Sequence, residues 1–161
     1  MTSDTAFNDR MLSLGLARVA EQAALACADL IGRGDEKAAD QAAVNAMREQ
    51  LNILAIKGVV VIGEGERDEA PMLFIGEEVG TGDGPGVDIA LDPLEGTTLT
   101  AKAMPNALTV IAMAPRGTLL HAPDTYMDKL AIGPGYPENV VSLAMSPRER
   151  VEALAAARGC R

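Results

Sequence analysis

Tryptophan is absent from these 161 residues, and two tyrosines and two phenylalanines are the whole aromatic content. Eight methionines take over core filling, for which a flexible thioether is well suited. Two cysteines, Cys27 and Cys160, are too few for a disulfide framework and lack metal-ligand spacing. Reduced thiols in a cytoplasmic setting follow, and neither is read as a nucleophile. The single histidine, His121, makes zinc a poor choice and reads as structural. No apolar run approaches the ~18 to 20 residues that a membrane span needs, so a soluble protein is expected. Basic clusters are missing too. Acids outnumber Lys and Arg by 23 to 14, a net charge of −9 that repels nucleic acid and anionic membranes. A phosphorylated ligand would also be repelled unless something cationic were added, which points to metal ions.

What is present suits one globular domain over 1–161: 48% apolar and 23% charged residues, enough for a sizeable core. From Asn8 to Ile31 the positions Leu12, Leu16, Val19, Ala23, Ala26 and Leu30 recur at steps of four and three, predicting an amphipathic helix ended by Gly32 and Gly34. A second helix is predicted from Lys37 past Leu51, with Val44, Met47, Leu51 and Leu54 on one stripe and Asp40 on the same stripe. A carboxylate on the inward edge of a helix needs a partner or a cation.

Gly58 to Ile62 reads as a buried strand and Met72 to Ile75 as a second apolar run. The glycine-rich stretch 80–86 precedes a strand instead of joining a strand to a helix, so a dinucleotide fingerprint is rejected. Val87 to Asp92 reads as a strand stopped by Pro93, with Asp88, Ala90 and Asp92 on one face. Ala107 to Ala114 and Thr118 to Ala122 flank Pro115-Arg116-Gly117 as an antiparallel hairpin, and Leu130 to Ile132 and Val140 to Leu143 are weaker strand candidates. Ser146, Pro147 and Glu149 mark a capped final helix ending near Gly159. Helices first and strands afterwards favour an α+β arrangement.

Acids stand at the strand ends. Glu64 follows the first strand, Asp92 closes a later one, and Glu95 follows through Pro93-Leu94. Carboxylates that converge repel one another, and a hard dication such as Mg²⁺ or Mn²⁺ would hold them ionised. A short helix starting at Thr97 or Thr98 would offer backbone N–H groups to an anion. The combination suits metal-assisted phosphoryl transfer. The bland alternative is three solvated turn acids, since turns favour acidic residues. For Asp40 it is a first-turn acid favoured by the helix dipole, for Tyr126 packing, and for Glu66, Asp68 and Glu69 a solvated loop.

The strings GRGDEKAADQAAVNAMR from Gly32, VVIGEGERDEAPML from Val60, VDIALDPLEGT from Val87 and APDTYMDKL from Ala122 resemble the class II, GlpX-type fructose-1,6-bisphosphatases. That family sits within the lithium-sensitive, metal-dependent phosphatases, whose wider motif is Asp-Pro-x-Asp-Gly-Thr; Glu95 in place of the second Asp is the class II form. The resemblance implies a sugar-phosphatase fold, here as an N-terminal half with two long helices on a largely antiparallel sheet and the second α/β half missing. It implies Mn²⁺ or Mg²⁺ held by Asp40, Glu64, Asp92 and Glu95, with Glu95, Gly96, Thr97 and Tyr126 contacting substrate. Glu64 and Asp68 become the catalytic acids, Asp68 either directly or by supporting the metal ligands. Lys37 is a candidate phosphate contact, although family members commonly carry lysine one position earlier, where this chain has Glu36.

The implied reaction removes the 1-phosphate of fructose 1,6-bisphosphate in gluconeogenesis. Sedoheptulose 1,7-bisphosphate or another small phosphomonoester is the alternative substrate. A cation-binding fragment without turnover is the alternative of a different class, because the chain looks truncated beside the family. The implied partners are a sugar bisphosphate and, in the full-length family, further copies in a homo-oligomer.

Overall fold

The structure, a computed structural model, describes residues 9–64, 73–121 and 125–160. The chain forms two compact units, Met1–Ala122 and Pro123–Arg161.

In the first unit α1 (Asp9–Ala28) and α2 (Glu36–Asn52) come first, close to their predicted bounds. Leu12, Val19, Ala23 and Leu30 of the predicted stripe join the core, and α2 adds Ala39, Ala43, Val44, Met47 and Leu51. Asp35 caps α2 by accepting a hydrogen bond from the Ala38 N–H at 3.0 Å, which satisfies a donor that the first helical turn leaves open. Then follow β1 (Lys57–Ile62), β2 (Glu78–Val79), β3 (Gly86–Glu95), α3 (Thr97–Ala101) and β4 (Leu108–Pro115).

The sheet order is β2-β1-β3-β4. β1 pairs antiparallel with β2 and parallel with β3, and β3 pairs antiparallel with β4. Two long helices on a mostly antiparallel sheet is the α+β arrangement expected. Val60 of β1 and Val87, Ile89 and Leu91 of β3 form the sheet side of the core beneath α1 and α2. Burying this apolar area contributes roughly 25 cal/mol per Å².

Two strand predictions are corrected in this unit. β3 does not stop at Pro93 but continues to Glu95, because its pairing with β4 is irregular between Asp92 and Glu95 and asks no ladder hydrogen bond of the proline. The hairpin is not formed: Thr118 to His121 is not a strand, and β4 pairs with β3 instead, Val87 opposite Pro115. Beyond β4, Thr118 folds back on the Pro115 carbonyl through both its N–H and its hydroxyl, which ends the strand. The apolar run, described from Leu73 to Ile75, leads into a turn closed by the Glu77 N–H on the Phe74 carbonyl, with Gly76 at φ 92°. Met72 lies outside the described residues.

In the second unit α4 (Pro147–Ala157) carries the predicted capping box, with Ser146 and Glu149 exchanging hydrogen bonds. Arg150 donates to the carbonyls of Ser142 and Leu143, and Arg158 lies over the Tyr136 ring at 4.9 Å. Leu130 to Ile132 and Val140 to Leu143 are irregular, not strands. Turns around Gly135 and Asn139, both at positive φ, lie between them. Among the described residues no helix is long and apolar enough to cross a membrane.

Candidate functional site

Parallel pairing of β1 and β3 decides where the acids go. Ile62 lies opposite Ala90, so two residues further on Glu64 and Asp92 leave the same end of the sheet. Glu64 is held there by its backbone: its N–H donates to the Leu73 carbonyl at 3.0 Å. Gly63 makes that approach possible, since a Cβ at this position would stand 2.3 Å from the Leu73 oxygen.

On β3 the irregularity around Pro93-Leu94 turns Asp92 and Glu95 toward each other. The Leu94 N–H donates to Asp92 Oδ1 at 3.0 Å, fixing that carboxyl. Burial first, then hydrogen bonding with Glu95, then the negative charges of Glu64 and Glu95 push the Asp92 carboxyl up to about 7, with the Leu94 N–H opposing them. Three of the four predicted metal ligands therefore influence one another at a single sheet end. Asp40, half-buried in the second turn of α2, has its carboxyl raised by burial, and the Cys27 thiol is raised by its own burial first and then by the Asp40 charge.

Gly96 caps α3 in the left-handed region at φ 91°, where a side chain would be strained and its Cβ would stand 2.9 Å from Leu99. It turns the chain sharply after Glu95, so Thr97 begins α3 as predicted. The α1–α2 connection is tied to this helix, with the N–H groups of Gly32 and Gly34 donating to the carbonyls of Thr100 and Ala101 at 2.9 Å each. Lys37 is exposed. Asp68, with Glu66 and Glu69, lies outside the described residues. Tyr126 belongs to the second unit, and its ring is fully exposed there.

Asp88, which alternation places on the same face of β3 as Asp92, has a structural role. It is 1% exposed and sits four residues back along the strand, about 13 Å away at normal strand rise. Gly117 donates its N–H to Asp88 Oδ2 at 2.7 Å, and Arg116 Nε approaches Oδ1 at 3.4 Å. That carboxylate locks the end of β4. Sequence reasoning also missed Arg48 and Glu77, which pair across 29 residues and leave no periodic trace.

The donors fit a hard dication in kind: carboxylates at one sheet end, with Asp92 raised by burial and then by its acidic neighbours, are groups that a divalent cation relieves. Among the described residues no group of three or more Asp, Glu, His or Cys side chains is gathered tightly enough to hold an ion without adjustment.

Residues 10–161 match the family described as bacterial fructose-1,6-bisphosphatase, glpX-encoded. The chain belongs to that family. Within it, the fructose-1,6-bisphosphatase 1 class 2 of Escherichia coli (strain K12) is 53% identical over 150 residues, covering 93% of this chain and 44% of that protein. The D-fructose 1,6-bisphosphatase class 2/sedoheptulose 1,7-bisphosphatase of Prochlorococcus marinus (strain NATL1A) is 50% identical over 146 residues, covering 91% of this chain and 43% of that protein. The chain thus spans less than half the length of these fructose-1,6-bisphosphatases.

Proposed function

We propose that this chain is the part of a class II fructose-1,6-bisphosphatase that supplies most of its metal site, and that the site serves hydrolysis of the 1-phosphate of fructose 1,6-bisphosphate in cytoplasmic gluconeogenesis. The observation that carries the reading is the convergence of Glu64, Asp92 and Glu95 at one sheet end, felt as the raised Asp92 carboxyl. With Asp40 these acids would hold Mn²⁺ or Mg²⁺. Bound there, the ion supplies charge to phosphoryl oxygens and acidifies water for an in-line attack.

The chain's own groups have the following parts. Asp92 is oriented by the Leu94 N–H, and Glu95 is presented by the irregular end of β3. Gly96 and Thr97 bring backbone N–H groups to the phosphate side. Glu64 and Asp68 are the acids proposed to take the proton from the attacking water as its oxygen forms the new P–O bond and the sugar oxygen leaves. The relative named for both bisphosphates keeps sedoheptulose 1,7-bisphosphate as an alternative substrate.

Phosphate release from fructose 1,6-bisphosphate with added Mn²⁺ tests the reading. Asp92→Asn should abolish release, and release that survives the substitution contradicts it. Parallel assays on sedoheptulose 1,7-bisphosphate and an inositol phosphate separate the substrate classes. A second reading, cation binding without turnover, is motivated by the chain's span of 44% of the Escherichia coli relative's length. Calorimetric uptake of Mn²⁺ with no phosphate release would select it.

A further inference from the structure

Arg48 of α2 and Glu77, just before β2, form a two-pronged ion pair, Nε to Oε1 at 2.6 Å and Nη2 to Oε2 at 3.1 Å. The side chains are only 23% and 14% exposed, so water screens the pair less than an ordinary surface bridge. Glu77 Oε2 also accepts the Phe74 N–H at 3.2 Å. The Glu77 backbone is docked as well. Its N–H donates to the Phe74 carbonyl, its carbonyl accepts from the Val60 N–H, and the Gly76 N–H donates back to the Val60 carbonyl at 2.8 Å. The Phe74–Glu77 turn is therefore clamped between α2 and β1. The residue immediately before it, Leu73, is fully buried and supplies the carbonyl that holds the Glu64 N–H.

We infer that the Arg48–Glu77 pair is a positioning clamp for Glu64: it fixes the Leu73 carbonyl, and through it the Glu64 backbone, relative to the helix that also carries Asp40. This rests on the proposed role of Glu64 in cation binding. Neither residue lies among the predicted ligands. A planar guanidinium engaging both carboxylate oxygens sets direction as well as distance, which a lysine ammonium would not do. Partners of this kind, one step removed from the donors, commonly change metal affinity 10- to 100-fold when removed.

The test uses Arg48→Met, Glu77→Gln, Arg48→Lys and the exchanged pair Arg48→Glu/Glu77→Arg, with Arg116→Ala as a control at the far end of β3. Hydrogen exchange of the metal-free chain is the first readout. Peptides spanning 60–64 and 73–77 should exchange at least about 10-fold faster in Arg48→Met and Glu77→Gln, while 87–91 stays protected, and the exchanged pair should restore protection in part. Mn²⁺ titration followed by the spin resonance of the free ion is the second. Affinity should fall about 10-fold or more in the same variants, less in Arg48→Lys, and not in Arg116→Ala.

Unchanged exchange at 60–64 overturns the clamp. So does a loss of affinity in Arg116→Ala equal to that in Arg48→Met, because the effect would then follow general stability. An unsubstituted chain that takes up no Mn²⁺, with exchange still faster in the variants, overturns the cation reading and leaves the clamp as a device of the fold alone. Should Arg48→Met fail to fold, the Arg48→Lys and exchanged-pair variants carry the same comparison.

Discussion

Asp92 senses the charge of Glu64 although 28 positions separate them, because the strands that carry them run side by side in the same direction. Glu64 and Asp92 follow neighbouring parallel strands to the same end of the sheet.

This proximity has a pH signature in the metal-free chain. The folded-state Asp92 carboxyl is raised to about 7, above its value in an unfolded chain, so folding favours the protonated form. Its contribution to stability is full below about pH 4 and is lost as the pH rises through about 7. Melting temperature measured in chelator should therefore decline between pH 5 and pH 8, and Asp92→Asn should flatten the decline. Added Mn²⁺ should raise the melting temperature more at pH 8 than at pH 5. An equal rise at both would mean that the ion does not meet this carboxyl.

Asp88 and Asp92 share a face of β3 and should part company under substitution. Asp88→Ala removes the acceptor for the Gly117 N–H and the partner of Arg116, so urea unfolding should show a loss of about 1 to 3 kcal/mol. Its Mn²⁺ affinity should equal that of the unsubstituted chain, whereas Asp92→Asn should lose affinity.

Gly63→Ala places a methyl where the Leu73 oxygen already lies. The backbone must shift, at a cost of about 1 to 3 kcal/mol, and Glu64 must shift with it. Both stability and Mn²⁺ affinity should fall in the same variant. Gly82→Ala makes a useful contrast: its φ is +81° and a Cβ there meets nothing within 4 Å, so backbone strain without a clash should lower stability alone.

The two thiols are in opposite situations. Cys27 is buried, its Sγ is directed to the carbonyls of Ala23 and Ala39, and burial followed by the Asp40 charge pushes its pKa up. Cys160 is exposed. A thiol reagent at neutral pH should modify one cysteine of the native chain rapidly and the second only after denaturant is added. Rapid modification of both would mean that the α1–α2 packing around Cys27 opens readily.

The helices were legible because their signals are local. Leu12, Val19 and Ala23 announce the buried face of α1 by spacing alone, and Ser146, Pro147 and Glu149 announce α4 by capping chemistry that needs no distant partner. The acids at the strand ends were legible as a motif, and the family resemblance assigned their roles. The partners of the strands were not. Ala107 to Ala114 beside Thr118 to Ala122 looks like a hairpin, yet β3 offers β4 a longer and more buried partner, and Arg116 and Gly117 are spent on Asp88. Alternation put Asp88 and Asp92 on one face correctly but carried nothing about the distance between them along the strand.

The amino-acid order by itself determined the helical stripes, the caps, the position of acids beside glycines and the negative charge that asks for a cation. Only the tertiary structure decided that β1 and β3 run parallel, that β4 joins β3, and that Arg48 reaches Glu77. Spacing and capping act over a few residues and are written in the chain, whereas strand pairing and long-range ion pairs are settled by competition among distant segments for the same hydrogen bonds and the same buried space.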